Sequence, residues 1–297
     1  MSDTMMEQGS SAVVPAKRES LWTKAFYKFI HDKVGMISLS VVGLYLFIAI
    51  LVWLGVIAQG WDELLADGQM GPTAEYWFGT NINGQDIFQR AIYSTKTAFE
   101  VGLTVAVVAT IMGALVGSVT GYFSGTVIDE IFLWLMNCLD CIPYYLMVAA
   151  FAVALADNPY AMHIAMMCCF WMGTARLVRG EVIKLKNMEF IEAARSLGVP
   201  VYRVILKHLL PNTSHILLVE MTLLFITAIK SEVILSFLGL GVKDGISWGL
   251  MIAEASGEVT AGYFCNFFAA SGMMFVLVLA FNMFSDSLQD ALDPRKI

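Results

Sequence analysis

Long, sparsely charged apolar runs alternate along this chain with short stretches that hold most of its charge. Six runs (34–57, 98–122, 131–156, 159–177, 216–238 and 267–288) are long enough to cross a bilayer, since about 18 or more apolar residues in a row read as a span. Backbone N–H and C=O groups find no water in lipid, so the runs must be helices, and the alternating strands of a barrel are not visible. The pattern predicts an all-α, polytopic membrane protein with about six transmembrane helices. Segment 1–33 precedes a transmembrane domain over 34–297, with loops at 57–97 and 239–266, a loop of opposite sidedness at 178–215, and a tail at 289–297. Residues 1–33 have no apolar core that could serve as a cleavable signal, so the first span is expected to act as its own insertion signal.

The 178–215 loop is the polar island of the chain, and its signals are ordered. Asn187 suits an N-cap, and Glu189 places a carboxylate in the first turn, where the helix dipole favours it. Phe190, Ile191, Ala193, Ala194 and Leu197 continue that helix, and Gly198 fits the left-handed residue that ends it. Pro200 suits the opening of a second short helix. Val201, Val204, Ile205 and His208 give that helix an apolar stripe, and Pro211 is expected to stop it before the fifth span. A helix-break-helix of this kind suits a docking element for a soluble partner better than a plain linker.

Charge then sets the orientation. Lys17, Arg18, Lys24, Lys28 and Lys33 precede the first span. Arg176, Arg179, Lys184, Lys186, Arg195, Arg203 and Lys207 fall at or beyond the end of the fourth, and Arg295 and Lys296 end the chain. Fourteen of the 18 Lys and Arg residues therefore lie on one side. Asp62, Glu63, Asp67, Glu75, Asp244, Glu254 and Glu258 lie on the other. The positive-inside rule places both termini and the 178–215 loop in the cytoplasm. The net charge of −7 is a consequence of topology rather than a sign of basic ligands. Composition agrees with the class: charged residues are 14% and hydrophobic residues 58%, against about 25% charged in soluble domains.

Some features inside the spans carry chemical readings. Gly113, Gly117 and Gly121 line one face of the second helix and let another helix, of this chain or another subunit, approach closely. Pro143 should bend the third span. Lys230 and Glu232 are intramembrane charges two residues apart, on different helix faces, so they do not pair with each other. They line a translocation path or anchor an interface. Cys138, Cys141, Cys168 and Cys169 read as small apolar residues packing between helices rather than as a redox or metal pair. The four histidines form no metal-ligand pattern, and there is no phosphate loop of the G-x-x-x-x-G-K-[ST] type.

The run Glu192-Ala193-Ala194, then Gly198, then His208-Leu209-Leu210-Pro211 resembles the EAA loop of binding-protein-dependent ABC importer permeases. The likeness extends through Trp171, Ala175–Val182, Glu189-Phe190, Leu235–Val242, Ser247-Trp248-Gly249, Ala280-Phe281-Asn282 and the tail from Asp290 to Arg295. Phe78-Gly79-Thr80, Gly84 and Asp86 match the stretch those proteins carry before the second span. Together these resemble the C-type permease of the dipeptide, oligopeptide and nickel importer group. Asn81 and Gln85 stand where that group usually has Asp and Arg, Asn137 stands near Pro143 where Asp is frequent, and Lys230 is unexpected.

The resemblance implies a non-catalytic inner-membrane subunit, multi-pass, that forms half of a path for peptides. Its partners would be a homologous B-type permease, two cytoplasmic ATPase subunits and an extracytoplasmic solute-binding protein. No cofactor is expected on this chain; ATP and Mg would sit on the ATPase subunits. Glu192, Ala193, Ala194, Gly198, His208 and Pro211 would couple to the ATPases, and Lys230, Glu232 and Asp140 would line the path. A nickel or other small-solute importer is the alternative within the group. A self-sufficient secondary transporter is the rival of another class, but no inverted repeat with broken helices is evident.

Overall fold

A computed structural model describes residues 21–66 and 68–293, and they fold almost entirely as helices. Lys17, Arg18, Asp67, Arg295 and Lys296 lie outside the described residues. In chain order the helices are α1 (Leu21–His31), α2 (Lys33–Trp53), α3 (Ile87–Tyr122), α4 (Val127–Asp140), α5 (Tyr144–Ala154), α6 (Ala161–Leu185), α7 (Glu189–Ser196), α8 (Val201–Arg203), α9 (Leu210–Phe237), α10 (Trp248–Thr260) and α11 (Cys265–Leu292). A single π-helical turn, Val204–Leu209, joins α8 to α9. An isolated bridge between Thr80 and Asp86 is the extended pairing among the described residues.

Helices α2, α3, α6 and α11 are long and apolar enough to cross a membrane, and the bent pair α4–α5 makes a fifth span when counted as one. The fifth predicted span lies on α9, 28 residues long, which carries Glu220, Lys230 and Glu232. The third predicted span is broken: α4 and α5 meet at 93°, with Pro143 capping α5. Proline lacks the N–H that would continue the ladder and its ring displaces the preceding turn, so the span bends there.

Two predicted loops contain helix. The second span begins at Ile87 rather than 98, because Asp86 caps it: the Phe88 N–H donates to its carboxylate at 2.8 Å. At 36 residues and a rise of about 1.5 Å each, α3 outruns the hydrocarbon thickness and projects beyond it. The 239–266 loop contains α10, capped by Ser247, whose hydroxyl accepts from Leu250 N–H at 3.1 Å.

The bundle is organised around α3. Gly113, Gly117 and Gly121 bring α3 against α6 so closely that a Cβ on each would stand 2.5 Å from Thr174 Cβ, 2.4 Å from the Ala175 oxygen and 2.8 Å from Val182 Cβ, respectively. Both helices advance in the same direction along this contact, so they run parallel. Lipid tails are as apolar as leucine, so this close packing, not exclusion of water, is what holds two helices together in a bilayer. Higher on α3, Phe99, Phe225 of α9 and Phe281 of α11 form one aromatic cluster, with centroids 4.0 Å apart for the last two. Helix α2 runs antiparallel to α11: Gly35 lies against Ser287, and the Tyr45 hydroxyl donates to Met273 O at 3.1 Å.

These contacts bring α1, the turn after α3, the end of α6, α7, α8 and the end of α11 to one end of the bundle. Lys28 Nζ donates to Asp290 O at 2.7 Å there. The 54–86 segment, the α5–α6 link and α10 lie at the other. Leu44, Phe47, Ile111, Leu115, Phe275 and Leu279 are exposed along the flanks, as suits surfaces that meet lipid or another subunit.

Candidate functional site

The α7–α8 region stands on a small apolar core of its own. Val178, Val182 and Leu185 of α6, Ile191 of α7, and Val204, Ile205 and Leu209 of the following turn are buried together. Asn187 does not cap α7: Met188 occupies that position without a side-chain bond, and the Asn187 amide turns back toward Ile183 O. The left-handed break falls at Gly198, with φ +73°. Val199 N–H donates to Ala194 O at 3.1 Å and Gly198 N–H to Arg195 O at 2.9 Å, the paired bonds of a Schellman ending.

Pro211 does not stop the second helix. The chain runs from Val201 through the π turn into α9 without a break. Pro211 sits in the first turn of α9, where a missing N–H costs little, and the wider π turn before it leaves room for the ring. The stripe of this segment is Val204, Ile205 and Leu209, whereas Val201 is exposed and His208 half-buried.

Each predicted coupling residue has a definite place. Ala194 faces the chain's own core and is buried, so it is not available to a partner. Glu192, Ala193 and Pro211 are exposed. Around Glu192 and Ala193, Phe190, Tyr202 and Leu197 are exposed too, Leu197 at 84%. An apolar side chain of that exposure, fixed on an ordered helix beyond the spans, has no cover within this chain.

The platform beneath is braced by basic residues. Arg179 makes a two-pronged ion pair with Asp129 at 2.7 and 2.8 Å; Asp129 also accepts from Gly125 N–H at 2.9 Å. Lys186 Nζ donates to Ser124 Oγ at 2.5 Å, and the Arg195 guanidinium lies 4.8 Å from the Tyr122 ring centre. The turn joining α3 to α4 is thereby tied to α6 and α7.

Asp140, Lys230 and Glu232 are not brought together. Asp140 ends α4, forms an ion pair with Arg176, and lines a cavity of about 340 Å3 at the α4–α5 bend with Pro143, Tyr144, Phe170 and Thr227. Arg176 Nη2 also donates to Asn137 Oδ1 at 3.1 Å. Glu232 is buried and accepts a hydrogen bond from Ser236, while Lys230 is exposed on another face of α9. The α9 helix separates them, as a spacing of two on a 3.6-residue period requires. Of the four span cysteines only Cys169 is buried; Cys138, Cys141 and Cys168 lie on the surface rather than between helices.

Residues 109–297 match the family described as binding-protein-dependent transport system inner membrane component. The chain belongs to this family. It is similar to the oligopeptide transport system permease protein OppC of Bacillus subtilis (strain 168), 34% identical over 97% of this chain and 94% of that protein. It is also similar to the dipeptide transport system permease protein DppC of the same strain, 36% identical over 78% of this chain and 73% of that protein. OppC of Haemophilus influenzae is 31% identical over 93% of this chain and 89% of that protein. The permease is thus a membrane component of a transport system, and its long apolar helices make it multi-pass.

In the permease, the stretch before α3 forms a tight, self-bonded turn. Asn81 Nδ2 donates to Gln85 Oε1 at 2.9 Å, and Asn81 Oδ1 accepts from the Asn83 and Gln85 N–H groups. The two departures from the group pattern therefore contact each other, a neutral amide pair standing where Asp and Arg are usual. Gly79 and Gly84 have φ of +75° and +77°; a Cβ on Gly79 would strike the backbone of Met70 and Gly71, and one on Gly84 that of Ala66.

Sequence reasoning missed the pair that holds this turn to the bundle. Arg90 is buried and bonded to Gln85, and it pairs with Glu254 of α10 at 2.5 Å. Glu258 accepts from Ile82 N–H at 3.0 Å. An arginine in a stretch taken for loop, with its partner in another stretch taken for loop, leaves no local periodic signal.

Proposed function

We propose that this permease forms half of the translocation path of an ATP-driven importer of peptides, and that α7 and α8 couple it to a cytoplasmic ATPase subunit. One observation carries this: an exposed face of Phe190, Glu192, Ala193, Leu197 and Tyr202, mounted on a buried apolar core that locks it to the ends of α3, α6 and α9. A rigid mount of this kind transmits a displacement of the docked subunit to the spans instead of absorbing it. Population switching then follows from differential contacts of the ATPases in their two states.

In this reading both termini and the α7–α8 end are cytoplasmic, which places ten described basic residues on that side in accord with the positive-inside rule. The partners are a homologous permease, two ATPase subunits that bind ATP and Mg, and an extracytoplasmic binding protein that delivers the solute. Peptides are favoured over nickel or other small solutes by the names of the similar proteins, which are oligopeptide and dipeptide systems. The Asp140–Arg176 pair and the cavity at the α4–α5 bend belong to the path.

The test is copurification and uptake with Glu192→Ala and Leu197→Asp. Both variants should insert normally and lose ATPase recruitment and peptide uptake together. Normal recruitment in both would end the coupling role.

A further inference from the structure

At the end of the bundle opposite α7, a polar cavity of about 270 Å3 opens between α3, the start of α6 and the loop into α10. Lys96 and Glu100 project from α3 about one turn apart, Tyr160 and His163 come from the start of α6, and Lys243 and Asp244 from the loop. His163 is only 8% exposed, yet neither of its ring nitrogens has a hydrogen-bond partner. A neutral imidazole carries one donor and one acceptor, and leaving them buried and unpaired is costly. In the wall of an open polar cavity, such a group is completed by whatever enters.

The charges around it are unequally engaged. Lys96 Nζ is turned to Tyr93, 3.4 Å from its hydroxyl and 5.1 Å from the ring centre, and Lys243 Nζ donates to Ala156 O. Glu100 and Asp244 have no hydrogen-bond or ion-pair partner for their carboxylates among the described residues. The free groups are therefore two carboxylates and an imidazole, all able to accept from a cation that carries several N–H donors. No three such groups among the described residues converge closely enough to hold a metal ion, which favours an ammonium over a divalent metal. The cavity is slightly smaller than the usual range for small-molecule sites, about 300–1,000 Å3, so it suits one end of a chain rather than a whole oligopeptide.

We infer that this cavity holds the free α-ammonium end of a peptide on its way into the path, with Glu100, Asp244 and an unpartnered His163 ring nitrogen as acceptors. The inference rests on the reading of the permease as a peptide importer. It adds a subsite that selects for an unblocked amino end.

The experiment is saturation-transfer NMR on the assembled importer in lipid nanodiscs, without the binding protein, using trialanine and N-acetyl-trialanine. Trialanine should give signal with the wild type and N-acetyl-trialanine little. Glu100→Gln and His163→Gln should each lower the trialanine signal about tenfold, the loss expected for one charge-assisted hydrogen bond, while still copurifying with the partner subunits. Equal signals from the two peptides, an unchanged signal in both variants, or no trialanine signal would overturn the inference. Uptake of labelled trialanine by the complete system is measured in parallel. Uptake without a bound signal removes the subsite and leaves peptide import standing; absence of uptake removes peptide import itself.

Discussion

Gly117 of α3 and Ala175 of α6 meet backbone to backbone: a Cβ on Gly117 would stand 2.4 Å from the Ala175 carbonyl oxygen. Nothing flexible lies at that point, so the helices themselves must separate to admit a methyl group. Gly117→Ala should therefore destabilise the bundle by about 2 kcal/mol, as overpacking does. Gly43, on α2, has nothing within 4 Å of the same added atom. Gly43→Ala should be neutral or slightly stabilising, since glycine in a helix costs up to about 1 kcal/mol relative to alanine. Thermal unfolding in detergent compares the two; equal midpoints would mean that α3 and α6 are not held by this contact.

Gly198 illustrates the opposite constraint. Space around it is open, but φ is +73°, a conformation that costs a side-chain-bearing residue about 1–2 kcal/mol. Gly198→Val should redirect α8 relative to α7 and abolish ATPase coupling with insertion unchanged. Gly198→Asn should retain most of the coupling, because asparagine tolerates the left-handed region. Uptake and ATPase copurification separate the outcomes, and equal loss in both variants would point to a steric rather than a conformational role.

Arg90 and Glu254 make a third prediction. The Arg90 side chain is 3% exposed and Glu254 35%, so the two ends of this ion pair are unequal. Arg90→Leu should cost about 3 kcal/mol, within the range for breaking a buried pair, and loosen α10 from α3. Glu254→Gln should cost less, because water still reaches that carboxylate and the amide oxygen can accept from the guanidinium. Proteolysis of the 239–247 segment in spheroplasts, with the unfolding midpoint, checks the order of the two effects.

How much of this was legible beforehand depends on the range over which each feature is encoded. The apolar runs, the bend at Pro143 and the left-handed Gly198 are local features, and local rules find them. Pro211 was misread for the same reason: a local stop signal was overridden by a π turn that only the path of the backbone reveals. Helix α10 was hidden by its Glu254 and Glu258 and its short apolar content. The Arg90–Glu254 pair joins positions 164 residues apart, and no spacing rule reaches that far. Ala194 shows the limit of a sequence pattern: Ala193 is exposed and Ala194 buried, and only packing decides which of two like neighbours faces the core.

Asp32 gives a pH dependence with a definite sign. Its carboxylate caps α2, accepting from Val34 N–H at 3.1 Å, and the Ser287 hydroxyl of α11 holds it below the usual carboxylate range. A group whose folded pKa is lowered contributes its stability above the unfolded value and loses it as pH falls toward the folded one. The contribution is therefore complete at neutral pH and disappears on acidification below pH about 4. Asp32→Asn should flatten the acid limb of the unfolding midpoint against pH; an acid limb identical to that of the wild type would remove Asp32 as its source.

Lys230 and Glu232 stand two residues apart on α9 and should fail in different ways. Glu232 is buried and bonded to Ser236, beside the point where Gly249 of α10 packs on the Ser236 side chain. Glu232→Ala empties that site and should lower the unfolding midpoint, with uptake falling only in proportion to folded protein. Lys230 is exposed, and an ammonium on a span helix is retained where it meets water, a cavity or a partner charge. Lys230→Ala should leave the midpoint unchanged and alter the uptake rate per folded importer, while Lys230→Arg retains the charge and most of the rate. Unchanged uptake in Lys230→Ala, with normal assembly, would assign Lys230 to the membrane interface, its stem along lipid and its head in water, and would leave the Asp140–Arg176 pair as the charged element of the path.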